Sequence, residues 1–264
     1  MTSGDYEAAV RMVAPARALY VPVILGTVRK GRMSLPVARV VLAELSRRPD
    51  IETELIDLAR LPLRVDDAGE ATKDAGFSEK MSRSDALVLV SPEYNHGYSG
   101  LLKHVLDSCL KEYVHKAVGV VGVSAGPFGG SRGIEDLLPV LRELGLAAIF
   151  WDVNFSTVQN AFDESGALRD QAYLPRIDKF LGELVWMATT LRHGREQVAM
   201  PQAESPMRCP KCGAEMNHHA EKVLQAVDVA DRSSVDPALG GVVEELHSCP
   251  ACGANASRRA SACG

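Results

Sequence analysis

Aromatic residues are scarce in this 264-residue sequence, at 5% overall, and residues 208–264 contain no Phe, Trp or Tyr at all. So small a segment without aromatic bulk buries too little apolar surface to fold on burial alone. No apolar run approaches the ~20 residues that cross a bilayer. The opening stretch MTSGDYEAAVRMVAPARALY is interrupted by Asp5, Glu7, Arg11 and Arg17, so it lacks the apolar core of a secretory signal. Basic charge is not in excess. Residues 1–200 carry 23 Lys and Arg against 26 Asp and Glu, and residues 201–264 carry 6 against 8, which argues against bulk binding to nucleic acid. Two nucleotide signatures are missing: no Gly-x-Gly-x-x-Gly occurs, and Gly26-x-x-x-x-Gly31 is followed by Arg32-Met33 where a P-loop requires Lys and then Ser or Thr. A disulfide framework is not indicated either. Of six cysteines, four form two Cys-x-x-Cys pairs, an arrangement of metal sites in a reducing cytoplasm, which is the expected location.

What is present is a regular alternation over about the first 190 residues. LYVPVILG (19–26), IETELIDL (51–58), DALVLV (85–90), KAVGVVGVS (116–124) and AAIFWDVNF (147–155) read as strands. Helical patterns separate them. Val37, Val40, Val41 and Leu45 share one face, as do Leu101, Leu102, Val105, Leu106 and Cys109. A short helix is expected around 76–84, and another carries Ile134, Leu137, Leu138, Leu141 and Leu144, with Pro139 inside it expected to kink it. A closing helix carries Leu174, Ile177, Leu181, Leu184, Ala188 and Leu191 inward. Five strands with intervening helices predict an α/β fold, a doubly wound five-stranded parallel sheet covered on both faces. Such sheets bind ligands beyond the C-terminal ends of their strands.

Three strand ends carry suitable chemistry. GTVRKGRMS (26–34) places two glycines, hydroxyls and three cations before a helix, either an anion site or a solvated capping loop. SPEYNHGYSG (91–100) joins Pro92, which fixes the turn, and Gly97 and Gly100, which allow close backbone approach, to Tyr94 and Asn95, which offer stacking and hydrogen bonds; the plainer reading is a connector in which Ser99 caps the next helix. SAGPFGGSRG (124–133) has four glycines, either a nest of exposed N–H groups or a flexible connector.

Taken in order, GTVRKGRMS…VARVV, SPEYNHGYSGLLKHVLD and VSAGPFGG resemble the NADPH-dependent FMN reductase family over about residues 19–190. The resemblance implies a flavodoxin-like fold and FMN with its phosphate on Thr27, Arg29, Arg32, Met33 and Ser34. It implies that Pro92, Glu93, Tyr94 and Asn95 wrap the isoalloxazine ring, and that Ser124, Gly126, Gly129 and Gly130 close its far side. Thr27 stands where the family often has serine. The implied activity is ping-pong transfer from NAD(P)H through FMN to a quinone, free flavin, azo compound or similar small acceptor, with no catalytic side chain required. A homodimer or homotetramer is implied as well. The alternative is a flavin-containing electron-transfer or redox-sensing protein.

The C-terminal segment is of another kind. After a polar linker (194–207), CPKCG (209–213) and CPACG (249–253) each put two thiolates on one tight turn. Together Cys209, Cys212, Cys249 and Cys252 make a tetrahedral sulfur set, with redox dithiols as the alternative. EKVLQAVDVA and GGVVEELHS between them read as ribbon strands. The segment resembles zinc ribbons broadly and rubredoxins superficially; the missing aromatics favour zinc over iron. His218, His219 and His247 are expected at the surface. The predicted divisions are a tail (1–18), the flavodoxin-like domain (19–193), the linker and the ribbon (208–264).

Overall fold

A computed structural model describes residues 17–63, 73–198, 206–224, 235–236 and 240–259. The chain forms two compact units, Met1–Val198 and Ala199–Gly264.

In the first unit the strands are β1 (Leu19–Tyr20), β2 (Val23–Leu25), β3 (Ile51–Glu52), β4 (Leu55–Asp57), β5 (Ala86–Pro92), β6 (Lys116–Val123), β7 (Leu146–Ala148) and β8 (Val153–Phe155). The helices are α1 (Ser34–Ser46), α2 (Ala75–Arg83), α3 (Gly100–Asp107), α4 (Ser131–Glu143) and α5 (Tyr173–Gln197). Every pairing is parallel: β3 with β1, β4 with β2, β2 with β5, β5 with β6, and β6 with both β7 and β8. These are the five predicted strands, three of them each divided into two pieces.

Proline explains the break in the first. Pro22 has no N–H to give, yet its carbonyl accepts from Val88 N–H at 3.0 Å, and the Thr53 hydroxyl covers the Val21 carbonyl at 2.7 Å. In the last strand Ile149 N–H still reaches the Val118 carbonyl at 3.0 Å; the chain then leaves the ladder and rejoins β6 at Val153.

Side-chain alternation sorts the core. Val23, Leu25, Val88, Val90, Val121 and Val123 point to one face and are covered by α1 and α5. Ile24, Leu87, Leu89, Val118 and Val120 point to the other, under α2, α3 and α4. On α5 the buried face also includes Tyr173, Phe180 and Arg192, beyond the predicted set, while Leu174 and Leu191 are only half-buried. Arg192 is buried because the wholly buried Asp85 lies 3.7 Å away and the Arg17 carbonyl accepts from it at 3.1 Å. Arg195 donates to the same Asp85 at 3.1 Å and to the His115 carbonyl at 2.5 Å. These anchors carry the helix through Gln197, past residue 193 where the sequence pattern weakens. Arg17, in the predicted tail, forks onto Asp85 at 2.7 and 3.0 Å. Pro139 stands on the exposed side of α4 and does not end it.

In the second unit β11 (Gly241–Ser248) is central and antiparallel to β9 (Asn217–Leu224), β10 (Val235–Asp236) and β12 (Asn255–Arg259). The first ribbon strand thus begins ahead of its predicted span, and β12 was not foreseen. Residues 1–16, 225–230 and Cys263 lie outside the described residues.

Candidate functional site

The strand order reverses direction at β2, whose neighbours are β4 on one side and β5 on the other. The loops after β2 and β5 open at that switch point, as expected for a ligand crevice. Two adjoining clefts lie there, of about 780 Å³ and about 340 Å³, sharing Arg29, Glu93 and Tyr94.

The first loop prepares for an anion. Gly31 turns at φ 68°, and Met33 starts α1 with no side-chain cap and no acidic residue in its first turn. Pro36 has no N–H and the Leu35 N–H reaches the Arg32 carbonyl at 3.4 Å, so among the described residues Ser34 N–H is the leading donor of this 13-residue helix left for a ligand. Ser34 Oγ and Arg32 Nε are buried without any partner among the described residues. Two buried donors in one anion-attracting loop are costly unless a ligand accepts from them. Arg32 is not a free cation, however: its Nη2 donates to Asp57 at 2.5 Å.

The second loop is stiffer than its glycines suggest. Tyr94 and Gly97 exchange both backbone hydrogen bonds, at 2.8 and 2.9 Å, and Asn95 and His96 between them adopt φ 51° and 71°. This is a tight two-residue turn of the left-handed kind, where asparagine is at home. A Cβ at Gly97 would lie 2.9 Å from Asp136 Oδ2, the movable end of an exposed side chain, so packing alone does not demand glycine there. The Tyr94 hydroxyl is 2.8 Å from Thr27 Oγ1, which ties this loop to the first. Glu93 is fixed by Arg132, whose Nε donates to Oε1 at 2.7 Å, while Oε2 is buried without a partner among the described residues. Ser99 does cap α3, accepting from Leu102 N–H at 3.3 Å.

The third loop divides. Ser124 and Ala125 line the smaller cleft, with Val123 behind them. Gly126, Gly129 and Gly130 are not in the lining. The Gly126 carbonyl accepts from the Ser124 hydroxyl and from Thr157 N–H, both at 3.0 Å. Gly129 and Gly130 have φ 60° and 88°; a Cβ would lie 2.7 Å from Asn154 Cβ in the first case and 2.6 Å from Val123 N in the second. Their lack of a side chain lets the loop fold flat onto β6 and β8. The other ten residues expected at the site all line one or both clefts: Thr27, Arg29, Arg32, Met33, Ser34, Pro92, Glu93, Tyr94, Asn95 and Ser124. Val158, from a 3-10 turn after β8, lines the cleft too. Nothing in the sequence marks it, since only the tertiary fold brings that turn beside the first loop.

In the second unit the two knuckles superimpose in their bonding. Cys209 and Cys249 each accept from the N–H of the glycine four residues on, at 2.9 Å, and Gly213 and Gly253 have φ 74° and 68°. All four sulfurs lie within 4.8 Å of one another; Cys209–Cys252 and Cys212–Cys249 are 3.6 and 3.5 Å apart. Metal–sulfur bonds of about 2.3 Å place tetrahedral sulfurs about 3.8 Å apart, so the set is close to assembled. Against the lowering effect of the Ala214 N–H, hydrogen bonds to the neighbouring sulfurs push the Cys212 thiol up to about 12. A divalent cation would relieve that proton sharing. Contrary to expectation His247 is buried: its Nε2 lies 3.0 Å from Glu245 Oε2, and its ring meets the edge of His218 at 5.4 Å. The bulge beside Leu246 in the β9–β11 pairing accompanies this inward turn.

The family model for NADPH-dependent FMN reductase matches residues 19–160. Among known proteins, the chain is 31% identical over 152 residues to an NAD(P)H-dependent FMN reductase of Pseudomonas aeruginosa, covering 54% of this chain and 82% of that one. It is 30% identical over 176 residues to an FMN-dependent NADPH-azoreductase of Staphylococcus aureus, covering 62% and 92%. Among solved structures, a flavoenzyme NAD(P)H:(acceptor) oxidoreductase from Paracoccus denitrificans superimposes with a TM-score of 0.54 at 21% identity, covering 66% of this chain and 98% of the other.

Proposed function

Because the chain belongs to the NADPH-dependent FMN reductase family and is an oxidoreductase of that family, we propose that the composite cleft holds FMN and that the enzyme transfers reducing equivalents from NADH or NADPH to a small quinone, flavin or azo acceptor. The observation that carries this reading is the pair of buried donors in the first loop without a partner among the described residues, Ser34 Oγ and Arg32 Nε, beside a helix start with no side-chain cap. Those groups fit a phosphate, and Thr27, Arg29 and the Met33–Ser34 backbone would complete its cradle. Pro92, Glu93, Tyr94 and Asn95 would hold the ring on one side and Ser124 on the other, with Gly126, Gly129 and Gly130 shaping the third loop from behind. Bound there, FMN supplies two-electron hydride chemistry.

The chain's own part is to position and to exclude water. The Thr27–Tyr94 hydroxyl pair and the Glu93–Arg132 pair stiffen the walls. Val28 and Leu101 give the larger cleft its apolar floor. No general acid or base is assigned. One open slot serving nicotinamide and acceptor in turn requires that the first product leave before the second substrate enters. Initial rates against NAD(P)H at several acceptor concentrations should therefore give parallel double-reciprocal lines; intersecting lines overturn the single slot, and purified protein without FMN overturns the cofactor.

For the second unit the reading is structural zinc on Cys209, Cys212, Cys249 and Cys252. Four thiolates complete a tetrahedron and leave no open position for catalysis. Elemental analysis should find one zinc per chain; iron with thiolate charge-transfer absorbance refutes it. Among the described residues no helix is long and apolar enough to cross a membrane. Phe128, Phe150 and Trp186, more than half exposed, give the first unit apolar surface suited to a homodimer or homotetramer. Light scattering decides that point.

A further inference from the structure

We propose that Asp57, at the end of β4, is a positioning residue that makes the cleft select a phosphorylated flavin over its unphosphorylated form. The inference rests on the FMN reading above and adds a residue that neither the sequence patterns nor the comparisons single out.

Asp57 is the last residue of the strand beside β2, in register with Leu25. Its side chain is 11% exposed and that of Arg32 14% exposed, so the pair is largely shielded from water. Each carboxylate oxygen has a separate task. Oδ1 accepts from Ala59 N–H at 3.0 Å and caps the short 3-10 turn that follows β4. Oδ2 accepts from Arg32 Nη2 at 2.5 Å.

Arg32 is thus gripped by its outer edge. A guanidinium is a planar fork, so fixing one amino group fixes the direction of every other N–H. The Nε–H remains, buried and without a partner among the described residues, in a residue that lines the smaller cleft beside Ser34, whose buried hydroxyl has no partner among them either. Nη1 lies 3.5 Å from the Arg29 carbonyl, at the limit of a hydrogen bond. An arginine left loose at the mouth of a 340 Å³ cleft would swing into water, and its donors would have to be ordered each time a ligand bound. Asp57 removes that cost in advance. It also cancels part of the arginine's charge, so its benefit to an anion is geometric, and the two effects oppose each other. The geometry of the anchored fork points to orientation as the larger.

The test compares FMN with riboflavin, which differ at the phosphate, by quenching of flavin fluorescence on the flavin-stripped full chain. Asp57→Ala should weaken FMN binding about tenfold or more, the equivalent of about 1.4 kcal/mol, and leave riboflavin binding within about twofold. Asp57→Asn separates the two tasks. Its amide oxygen can still accept from Ala59 N–H, while its amide nitrogen faces Arg32 with a donor instead of an acceptor. If Arg32 orientation is what matters, Asp57→Asn resembles Asp57→Ala. If Asn restores wild-type FMN binding, the role is only capping of the turn and the proposal fails. Equal loss of FMN and riboflavin also overturns it, because the damage is then general. Tighter FMN binding in either variant overturns it in the opposite sense, showing that Asp57 acts as a competing charge. Wild-type protein that binds neither flavin, or both equally, refutes the underlying FMN-phosphate reading and is distinguishable from every outcome above.

Discussion

In the first unit a single strand such as β5 sends Val88 and Val90 into one layer and Leu87 and Leu89 into the other, all fully buried. In the second unit the buried cluster consists of Cys209, Met216, Cys249 and Ala254. At about 25 cal/mol per Å² of apolar surface removed from water, the first kind of core can offset the entropy of ordering a long chain. The second cannot, and half of its members are thiols gathered within bonding distance of one ion. On the zinc reading, one chain carries two solutions to stability: burial on both faces of a sheet, and metal-linked folding of a ribbon.

The largest expected effect comes from removing the metal. Cys209→Ser with Cys212→Ser should abolish metal binding and leave residues 206–259 open to limited proteolysis. FMN content and NAD(P)H oxidation should persist. Loss of flavin in the same variant would show that the two units do not fold independently, and the comparison would break.

The converse cut falls in the sheet. The fully buried Phe180 packs across Gly119, where an added Cβ would lie 2.4 Å from its ring. Phe180→Ala should destabilise the first unit by about 3–5 kcal/mol. Both tryptophans, Trp151 and Trp186, lie in that unit, so urea unfolding followed by tryptophan fluorescence reads it selectively. The zinc content should not change; if it falls with the midpoint, the units are coupled.

What the sequence disclosed follows the same division. Continuous apolar runs and helical alternation made the sheet legible, because β5 and β6 are buried along their whole length and, apart from Lys116 and Ser91, carry no polar side chain. The ribbon was legible through its cysteines and through GGVVEELHS, which is β11, with the strand before it only partly placed. Short strands such as β12, with burial on alternate residues and sequence NASRR, carry no apolar signal. Loop composition singled out the first two loops, whose residues do line the clefts, but no pattern said where left-handed backbone would fall in the second. Asn95 and His96 take it, at φ 51° and 71°, while Gly97 closes the turn by pairing its backbone with Tyr94. Gly129 and Gly130 drew attention for N–H groups, but what requires glycine there is close contact with Asn154 and Val123, in two strands the pattern did mark without showing that the loop folds onto them. Asp57 looked like the end of a strand, and its bond to Arg32 crosses 25 residues.

Within the first unit, ligand binding should prove separable from stability. Arg29 is exposed at the mouth of both clefts and packs into neither core cluster. Arg29→Ala should weaken FMN binding by about 1.5–3 kcal/mol, the range for a charge-assisted hydrogen bond, and leave the urea midpoint of the flavin-free protein unchanged. Wild-type FMN affinity in this variant would remove Arg29 from the phosphate site.

The smallest effect sharpens the comparison through acid. Burial works to raise the carboxyl of Glu112, but Lys73, the Ser78 hydroxyl at 2.8 Å and the Leu110 N–H at 3.1 Å outweigh it and hold the group at about 2, against an ordinary 4.5. A carboxyl depressed in the folded state stabilises fully above its ordinary value, and that contribution drains away as pH falls from about 4.5 toward about 2. Glu112→Gln should therefore cost about 1–2 kcal/mol at pH 7, and the gap between variant and wild type should narrow between pH 4.5 and pH 2. Urea midpoints of both proteins at pH 7, 4 and 3 provide the measurement. A gap that stays constant across that window would mean the carboxyl is not depressed by folding. The ribbon should respond differently over the same range, because protons compete directly with zinc for its thiolates and it has little burial to fall back on. Metal release should therefore precede unfolding of the sheet as the solution is acidified. If the sheet unfolds first while zinc is still bound, apolar burial is not the sturdier of the two devices.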